Sequence, residues 1–600
     1  MLLLRQALSL FLAASLVALS SPASPGRQQR VDLNLAPSRW PAGEYAKYMN
    51  EQAAERMNAG SAAGVNGAVT VSYNAFAARA GLEALKQGGS AIDAAMTTAL
   101  TQVALTAGAP ISYFGIMSLV YFEKKSGKVY TMNAEWNTVV GEKDPLSIPG
   151  SINFDNEDSL RGVDPNGRTA LVGGFMKGVE AAHKRFGRLP FAALFTPAIE
   201  LAEKGMPVTP MLAEQFAYRA SDLARLPETR ETFLKSDGSP YHSGETFRQP
   251  RLAATLRAVA RQGADYMYGG PWGQRLVSAV QADGGKMTLE DLRRYQVIWA
   301  DPLVAPIGNG YSVSTSPWPN NGGVALIEAQ NLANVSGLST GPHWTKSPEA
   351  LRTAVEISDQ STADYLSSAT LAQIYPGLDF SPETRVTQEH AEKLWARMQK
   401  GVVLGRYKRT SPMHSDDVVA VDGEGNIAAI THSINSVFWG KTAMTVGGVT
   451  IGDPASYQQA QIARIQPGAR LAAPTETGIL FKNGNAVLGF ASMGAGLHQR
   501  TFQCLLDYTH FGMSVDEAIN TADFYLPSYD RKTGEHTITV PEGAFDHKLL
   551  DATGYAWREL PLTRARLGGV GDWVAIARDP ATGKLGAASP NRNNSDALAF

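Results

Sequence analysis

The segment from 414 to 435 has the clearest pattern of apolar and polar positions in the chain. A mostly apolar run at 418–421 is followed by Asp-Gly-Glu-Gly-Asn at 422–426, and a second apolar run covers 427–430. Two strand-like runs joined by a short glycine-containing turn predict a β-hairpin.

Hydroxyl side chains stand at both open ends of this hairpin. Ser415 precedes the first apolar run, and Thr431 and Ser433 follow the second. Because an antiparallel hairpin folds its two ends together, Ser415 and Ser433 are expected to be neighbours although 18 positions separate them. A nucleophile and a supporting hydroxyl group can meet at such a place.

Helical spacing dominates before the hairpin. Apolar residues at 75–87 fall on one helix face and end at Gly88-Gly89, a pair typical of a helix stop. Ser90 then caps a predicted helix over 91–105. Further helices are predicted near 44–57, 179–185, 191–204, 249–262, 289–295 and 499–508, and strands at 117–122 and 128–133.

The order of these elements predicts a mixed body of helices and antiparallel hairpins, because helices and strands do not alternate as in βαβ units. Six hundred residues exceed what one core usually supports, so we expect either one multilayered body or two domains. Proline and glycine are spread along the chain, and no linker marks a domain border.

Composition excludes several classes of function. The net charge of −2 gives no electrostatic basis for binding nucleic acid. Cys504 is the only cysteine, so an intramolecular disulfide and a cysteine-rich metal site are both impossible. No His-Glu-x-x-His segment is present, and neither a metal nor a cofactor is expected.

Residues 1–23 have the pattern of a secretory signal peptide. Arg5 supplies a positive charge, residues 7–19 are apolar, and small residues at 20–23 offer a cleavage site. A membrane anchor is the alternative, but a span needs about 20 apolar residues. We therefore expect a flexible N-terminal segment over 24–66 and a periplasmic or secreted protein without a stable membrane span.

Six segments together carry a resemblance to a known family. The first reads Gly-Gly-Ser-Ala-Ile-Asp-Ala-Ala at 88–95, where the family has Gly-Gly-Asn-Ala-Val-Asp-Ala-Ala. The others are 178–199, 291–326, the hairpin at 414–435, 511–518 and 586–592. In this order and spacing, from about 67 to 595, the chain resembles the γ-glutamyltransferases, a family of N-terminal nucleophile hydrolases.

The resemblance implies an α+β fold, a four-layer αββα sandwich of the N-terminal nucleophile hydrolase type. The family's precursor cuts itself and exposes a nucleophile at a new N-terminus. Aligning the turn at 422–426 places Ser415 at this position, where the family norm is Thr. Residues 67–414 would then form a large subunit and residues 415–600 a small subunit, which stay associated after self-cleavage.

The same resemblance gives roles to residues after the turn. Ser433 and Asn435 match groups that orient the nucleophile and its amine, and Gly494 and Ala495 match the two backbone donors of the oxyanion hole. An N-terminal Ser carries its own base, the α-amine, whose ordinary pKa is near 7.7–8.0. This serine would first attack the carbonyl of the preceding residue and later an amide substrate, forming an acyl-enzyme.

The family's recognition groups for a γ-glutamyl moiety are replaced. Its carboxylate-binding Arg falls near Glu135, and its paired Ser residues fall at Ala472 and Ala473. Its acidic residues for the substrate amine fall around 454–457, where Asp453 is the nearest acid. Since a Glu repels a carboxylate, glutathione and γ-glutamyl anilides are expected to be poor substrates. These four positions are the candidate substrate-binding residues.

Several aromatic residues would complete this altered site. They are Tyr113, Phe114, Trp136, Phe438 and Trp439. Their rings favour a neutral or cationic acyl group over an acidic one. The favoured function is therefore an exported, self-processing amidohydrolase or acyltransferase that acts on a small-molecule amide or peptide.

Other interpretations stay open. A relative without catalysis could keep the scaffold and bind a ligand or partner. A GxSxG serine hydrolase is disfavoured because Ser492 lacks a glycine two positions earlier. His414 and His432 match no functional histidine of the family, and Asp416 and Asp417 would either favour a protonated amine at the new terminus or be solvated.

Overall fold

Two seven-stranded antiparallel sheets form the centre of the computed structural model. The structure describes residues 33–150, 166–402, 404, 415–494, 496–525, 528–529, 536–561 and 571–600. In sheet A the strands, in spatial order, are Asp596–Ala599, Gly67–Val71, Ser415–Asp422, Ile427–Ser433, Ile116–Glu123, Lys128–Ala134 and Ile298–Ala300. In sheet B they are Ser61–Gly64, Leu585–Ala588, Asp572–Arg578, Asn485–Met493, Glu476–Lys482, Tyr311–Thr315 and Leu303–Gly308.

Helices cover the outer face of each sheet. Ala75–Lys86, Ala91–Leu105 and Phe175–Phe186 pack on sheet A, and Gly322–Ser336, Leu497–Thr509 and Val515–Asn520 pack on sheet B. The other α-helices are Glu44–Ala54, Thr196–Lys204, Pro210–Tyr218, Ala220–Leu223, Pro227–Phe233, Pro250–Gln262, Asp265–Tyr268, Pro271–Ala282, Leu289–Arg293, Pro348–Gln360, Ser368–Ile374, Pro382–Arg385, Gln388–Met398, Gln459–Ile462 and His547–Ala552. The four-layer αββα sandwich and the α+β class are thus confirmed.

Small strand pairs complete the architecture. They are Met57–Asn58 with Arg592–Asn593, Met206–Pro207 with Thr246–Phe247, Thr445–Val446 with Val449–Thr450, and the three-stranded set Ser528–Tyr529, His536–Pro541 and Ala556–Leu560. Residues 34–600 form one compact unit, as expected of a multilayered body. Across the described ranges, no helix combines the length and apolarity that crossing a membrane requires.

The core between the two sheets explains the apolar runs of the hairpin. Val419 and Val421 from its first strand and Ile427 and Ala429 from its second are fully buried against sheet B. The opposite face of both strands is covered by the helix Ala91–Leu105. Because both faces are buried, these strands read as continuous apolar runs and not as alternating ones.

The hairpin has the register that the sequence predicts. Ser415 pairs directly with Ser433, and Val421 pairs with Ile427 beside the turn. A shift of one residue would turn every side chain of a strand to the opposite face, so burial on both faces fixes this register. The two serines, the serine pair hereafter, are therefore held at one end of sheet A.

Asp422 holds the turn of the hairpin. Its carboxylate accepts hydrogen bonds from the backbone N–H of Asn426 at 3.0 Å and from the side-chain amide of the same residue at 2.8 Å. It also accepts the N–H of Ala91 at 3.1 Å. One side chain thus satisfies donors of the turn and of the first turn of the helix that covers the hairpin.

The other predicted elements are confirmed to within a few residues. The helices expected at 75–87 and 91–105 are Ala75–Lys86 and Ala91–Leu105, and Ser90 forms a capping box with Asp93 at the start of the second. All 15 residues of that helix are buried, because helices and sheet A surround it.

The expected flexible segment at 24–66 is not seen over residues 34–66. The helix Glu44–Ala54, predicted near 44–57, packs with Trp40 on the helical layer. The ring of Trp40 lies 4.8 Å from that of Phe76, and the Arg79 guanidinium lies 4.8 Å from the Trp40 ring centroid. Buried aromatic contacts therefore order this segment, whereas the predicted signal peptide at 1–23 lies outside the described residues.

Replacing Asp422 with Ala is expected to destabilise the sandwich by about 2–4 kcal/mol, because several backbone and amide donors lose their acceptor together. Chemical or thermal unfolding measures this loss of stability. Glu424→Ala in the same turn is the control, since the exposed Glu424–Arg188 pair contributes at most about 1 kcal/mol. Both variants are made in a Ser415→Ala parent, which lacks the proposed nucleophile and should stay uncut. Equal midpoints for the two variants would contradict the assigned role of Asp422.

Candidate functional site

The serine pair faces the space between the two sheets. Ser415 is 9% exposed and Ser433 is 1% exposed. Directly paired residues of an antiparallel sheet point to the same side, and so do residues two positions apart. Thr431, two positions before Ser433, donates its hydroxyl to the backbone oxygen of Ser492 in sheet B at 2.9 Å. The serine hydroxyls consequently point toward sheet B.

Asn435 follows the pair in a left-handed conformation with φ of +46°, a region that Asn tolerates better than most residues. Its backbone N–H donates to the Ser433 hydroxyl oxygen at 2.9 Å. Its side-chain amide nitrogen is buried and has no hydrogen-bond partner in the described part of the chain. The predicted grouping of these residues is therefore observed, and the Asn435 amide is a free donor beside it.

Gly494 lies at the same end of the sandwich as the serine pair. Gly489 lies against Ile427, and the backbone oxygen of Ser492 accepts the Thr431 hydroxyl. The strand Asn485–Met493 of sheet B therefore runs in the same direction as the strand Ile427–Ser433 of sheet A. Gly494 has φ of +86°, which favours glycine, and its carbonyl accepts the N–H that opens the helix Leu497–Thr509. Ala495, the second predicted oxyanion donor, lies outside the described residues.

Glu135 lies level with the row of directly paired residues across sheet A to which the serine pair belongs. Ser433 pairs with Ile116 in the next strand, and Met117 pairs with Ala134 one strand further. Glu135 is therefore level with Ile116 and two strands from Ser433. The sequence could not show this, because the register of three separate strands decides it.

The Glu135 carboxyl is fully buried and only partly satisfied. Its Oε1 accepts the Thr475 hydroxyl at 2.9 Å, and that hydroxyl oxygen accepts the side-chain amide of Asn320. Its Oε2 has no hydrogen-bond partner within the described ranges. Burial raises the pKa of Glu135 to about 7 because a low-dielectric surrounding disfavours the charged form.

Arg470 is a neighbour of Glu135 that sequence analysis missed. Its guanidinium donates to the side chain of Asn137 at 2.7 Å and to the backbone oxygens of Asn133 at 2.8 Å and Gln296 at 2.7 Å. The guanidinium is thus committed to amide and carbonyl oxygens and does not form a fork with the carboxyl of Glu135. The only indication of Arg470 in the sequence was its place two residues before Ala472, a predicted site residue.

The predicted pair Ala472 and Ala473 lies close to the same carboxyl. The backbone oxygen of Ala473 accepts the N–H of Asn321 at 3.0 Å, and Thr475 stands two residues further on. Thr475, which sequence analysis also missed, supplies the hydroxyl that Glu135 binds. The sequence could have indicated Thr475, because it is a hydroxyl residue close to the alanine pair and directly before the strand Glu476–Lys482.

Asp453, predicted as the acid for a substrate amine, is bonded within the protein. Its carboxylate accepts the Ser436 hydroxyl at 2.5 Å and the N–H of Thr442 at 2.7 Å. Both oxygens are therefore used to hold the loop that follows Asn435, and burial raises the pKa of the carboxyl. Asp453 organises this loop and is poorly placed to bind a substrate amine.

Two acids next to the nucleophile position are buried and not solvated. Asp417 accepts the backbone N–H of Ser72 at 2.9 Å and its hydroxyl at 2.8 Å. Asp416 accepts the side-chain amide of Asn74 at 3.1 Å on the opposite face. Burial raises the pKa of Asp417 to about 8 and holds the pKa of Asp416 well above its ordinary value.

His432 points away from the serine pair, as strand alternation requires. Its Nε2 lies 2.9 Å from the side-chain oxygen of Gln102, and its ring stacks on Phe175 with centroids 5.3 Å apart. Burial lowers the pKa of this histidine to about 3. It is a neutral core residue, and His414 lies outside the described residues.

The aromatic residues proposed as pocket walls are core residues. The Tyr113 hydroxyl donates to the backbone oxygen of Leu100 at 2.6 Å, and the Trp439 indole donates to that of Ala107 at 3.0 Å. The polar atoms of Tyr113 and Trp439 are thus bonded to backbone oxygens within and just after the helix Ala91–Leu105 and are not available to a substrate. The buried set is Tyr113, Phe114, Trp136, Phe438 and Trp439.

Comparisons with known proteins identify the family that this chain resembles. The family model described as Gamma-glutamyltranspeptidase matches residues 77–600. The Glutathione hydrolase proenzyme of Pseudomonas sp. (strain A14) is 25% identical over 522 residues, which are 82% of the chain and 86% of that relative. The Acylase ACY 1 proenzyme of Pseudomonas sp. (strain V22) is 28% identical over 477 residues, 75% of the chain and 81% of that relative.

A solved structure supports the fold alone. The crystal structure of cephalosporin acylase from Bacillus halodurans superposes with a TM-score of 0.71 at 22% identity. The match covers 91% of this chain and 97% of that structure. The αββα sandwich described above is therefore shared with an experimentally determined protein along nearly the whole of its length.

The raised pKa of Asp417 predicts a pH-dependent stability. The folded chain keeps this proton up to a pKa of about 8, whereas the unfolded chain loses it near 3.8. Because the folded state binds more protons between these values, the free energy of unfolding decreases as pH rises through this window. Melting temperatures of the uncut Ser415→Ala variant, measured from pH 5 to pH 8, should fall accordingly.

Asp417→Asn in that background is the matched comparison, since an amide stays neutral while its oxygen still accepts the Ser72 N–H. We expect this variant to have a shallower slope of melting temperature against pH. An unchanged slope would show that Asp417 is already ionised at pH 5.

Proposed function

The chain belongs to the gamma-glutamyltranspeptidase family, and we propose that it is an exported, self-processing amidohydrolase or acyltransferase whose nucleophile is Ser415. Membership rests on the family model, which spans residues 77–600. Proteins of this family hydrolyse amides or transfer acyl groups. The identity of the nucleophile, the export and an altered acyl specificity are the proposal.

One observation carries the choice of nucleophile. Ser415 begins a strand of sheet A and is paired with Ser433, whose hydroxyl oxygen accepts the N–H of Asn435. N-terminal nucleophile chemistry needs a hydroxyl group on the residue that carries the new α-amine, and Ser415 is a hydroxyl residue at a strand start with a second hydroxyl residue directly opposite. The Gly494 loop at the same end supports an oxyanion site.

Self-cleavage is the first proposed step. The Ser415 hydroxyl oxygen attacks the carbonyl carbon of residue 414, and the peptide C–N bond breaks as an ester forms. Water then hydrolyses the ester. The products are a carboxylate at residue 414 and a free α-amine on Ser415.

Substrate turnover reuses the same hydroxyl group. The α-amine takes the hydroxyl proton while the oxygen attacks the amide carbonyl carbon of the substrate. The developing oxyanion is stabilised by backbone N–H groups of the Gly494 loop. The leaving amine takes the proton as the amide C–N bond breaks, and water or an acceptor amine then releases the acyl group from Ser415.

The acyl specificity is proposed to differ from γ-glutamyl. The resemblance aligns the family's carboxylate-binding Arg near Glu135, and two acids disfavour each other unless one is protonated. Asp453 uses both carboxylate oxygens for Ser436 and Thr442. The α-carboxylate and the α-amine of a γ-glutamyl group thus both lack the partners that the family resemblance implies.

Export is proposed from the pattern of residues 1–23, with a positive residue, an apolar stretch and small residues in succession. Expression of the full chain with separate recovery of the periplasm and medium tests this. The processed protein should be found there with an N-terminus close to residue 24, and retention of Met1 in the cytoplasm would contradict export.

Self-cleavage has a direct readout. The purified chain of 64.2 kDa should yield a fragment of residues 415–600, roughly 20 kDa in mass, with Ser as its first residue. Denaturing electrophoresis and N-terminal sequencing measure this. Ser415→Ala should remain uncut and lose at least about 10³-fold in activity, whereas Ser415→Thr, which keeps a hydroxyl, should still cut.

An uncut wild-type chain that stays intact in native buffer would overturn self-processing. It would favour a non-catalytic relative that binds a ligand or partner through the same scaffold.

Glutathione and γ-glutamyl-p-nitroanilide should be poor substrates of the fully cut protein. We expect kcat/KM at least about 100-fold below that for p-nitroanilides of neutral acyl groups of similar length, which corresponds to about 2.7 kcal/mol. Release of nitroaniline, and of glutamate from glutathione, are the measurements. Comparable turnover of γ-glutamyl and neutral anilides would refute the altered specificity.

A further inference from the structure

We propose that Glu135 binds a primary amine at the far end of the acyl group, so that the substrates are amides of ω-amino acyl chains. This inference rests on the proposed function, because it takes Ser415 as the point of acyl attachment. It assigns a ligand class to a carboxyl that no step of the catalytic cycle uses.

The position of Glu135 fits the far end of an acyl chain. The row runs from Ser415 through Ser433 and Ile116 to the level of Glu135, which is three strand spacings or roughly 14 Å between the outer Cα atoms. The glutamate side chain bridges part of this distance. An acyl group of several methylenes can span the remainder.

The row is apolar between Ser433 and Glu135. Ile116 is fully buried and, as the direct partner of Ser433, points to the same side. A methylene chain that passes over Ile116 has no hydrogen bonds to water to give up, whereas a polar group there would lose its hydrogen bonds to water. The polar atoms of the acyl group are thus expected at its end, beside Glu135.

The free carboxyl oxygen indicates a donor on the ligand. Oε2 of Glu135 is buried with no hydrogen-bond partner among the described residues, while Oε1 accepts the Thr475 hydroxyl. The side-chain oxygen of Asn321 is likewise buried without a partner in the described part. Asn321 follows Asn320, whose side-chain amide binds the Thr475 hydroxyl.

Among the described residues, no cationic side chain is paired directly with the Glu135 carboxyl. Arg470 is the cation that influences Glu135, and its guanidinium donates to Asn133, Asn137 and Gln296. An ammonium group would therefore bring the direct charge-assisted hydrogen bond that Glu135 lacks. A carboxylate would be repelled, and a methyl group would leave the carboxyl oxygen unsatisfied.

A panel of p-nitroanilides tests the proposal with one leaving group throughout. The amine series is 4-aminobutyryl, 5-aminopentanoyl and 6-aminohexanoyl; matched series replace the amine with a methyl group or a carboxylate. At pH 8 the best amine substrate should exceed its methyl counterpart at least 10-fold and its acid counterpart at least 100-fold in kcat/KM.

Glu135→Gln should reduce the amine-to-methyl ratio of kcat/KM to within about threefold of one. Glu123→Gln is the matched control, because Glu123 lies at the opposite end of a strand of the same sheet. It should keep the wild-type ratio. An unchanged ratio in cut Glu135→Gln protein would overturn the assignment.

Glu135→Asp covers the case in which the glutamine variant fails to fold or cut. The shorter carboxyl should move the optimum to an amine chain one methylene longer, and an unchanged optimum length would count against direct contact. If the wild-type chain stays uncut and hydrolyses no anilide, the proposed function fails. If it is cut but prefers the methyl or the acid series, this further inference alone is overturned.

Discussion

The antiparallel ladder between Ser415–Asp422 and Ile427–Ser433 is the interaction on which the rest of the structure depends. One face of the ladder packs on sheet B and the other on a helix, so its register cannot slip without exposing apolar residues. That register sets Ser415 opposite Ser433, and through Ile116 it also sets the level of Glu135. The proposed nucleophile and the proposed recognition carboxyl are thus two ends of one row.

Much of the fold could be predicted from the sequence because its signals are local. The Asp-Gly-Glu-Gly-Asn turn and its apolar flanks specify the hairpin, and the Ser90 cap specifies where a helix begins. The helix in the segment at 34–66 could be predicted, but the ordering of the segment could not, because it comes from the contact of Trp40 with Phe76 and not from the local polar composition.

The candidate site was only partly predictable, because its remaining features depend on contacts between distant segments. Thr475 and Asn320 complete the surroundings of Glu135, yet they belong to separate parts of the chain. Tyr113 and Trp439 are aromatic in sequence, but their polar atoms donate to the backbone oxygens of Leu100 and Ala107 and the rings are buried. The sequence pattern indicates residue types, and packing decides which of them face the site.

Trapping the acyl-enzyme tests the central claim most directly, namely that Ser415 carries the acyl group from its own N-terminus. The protein is mixed with a saturating p-nitroanilide, quenched in acid within one turnover, and digested for tandem mass spectrometry. We expect one acyl adduct, located on the first residue of the fragment that begins at Ser415. An adduct on any other residue, or turnover by a chain still joined through residues 414 and 415, would contradict it.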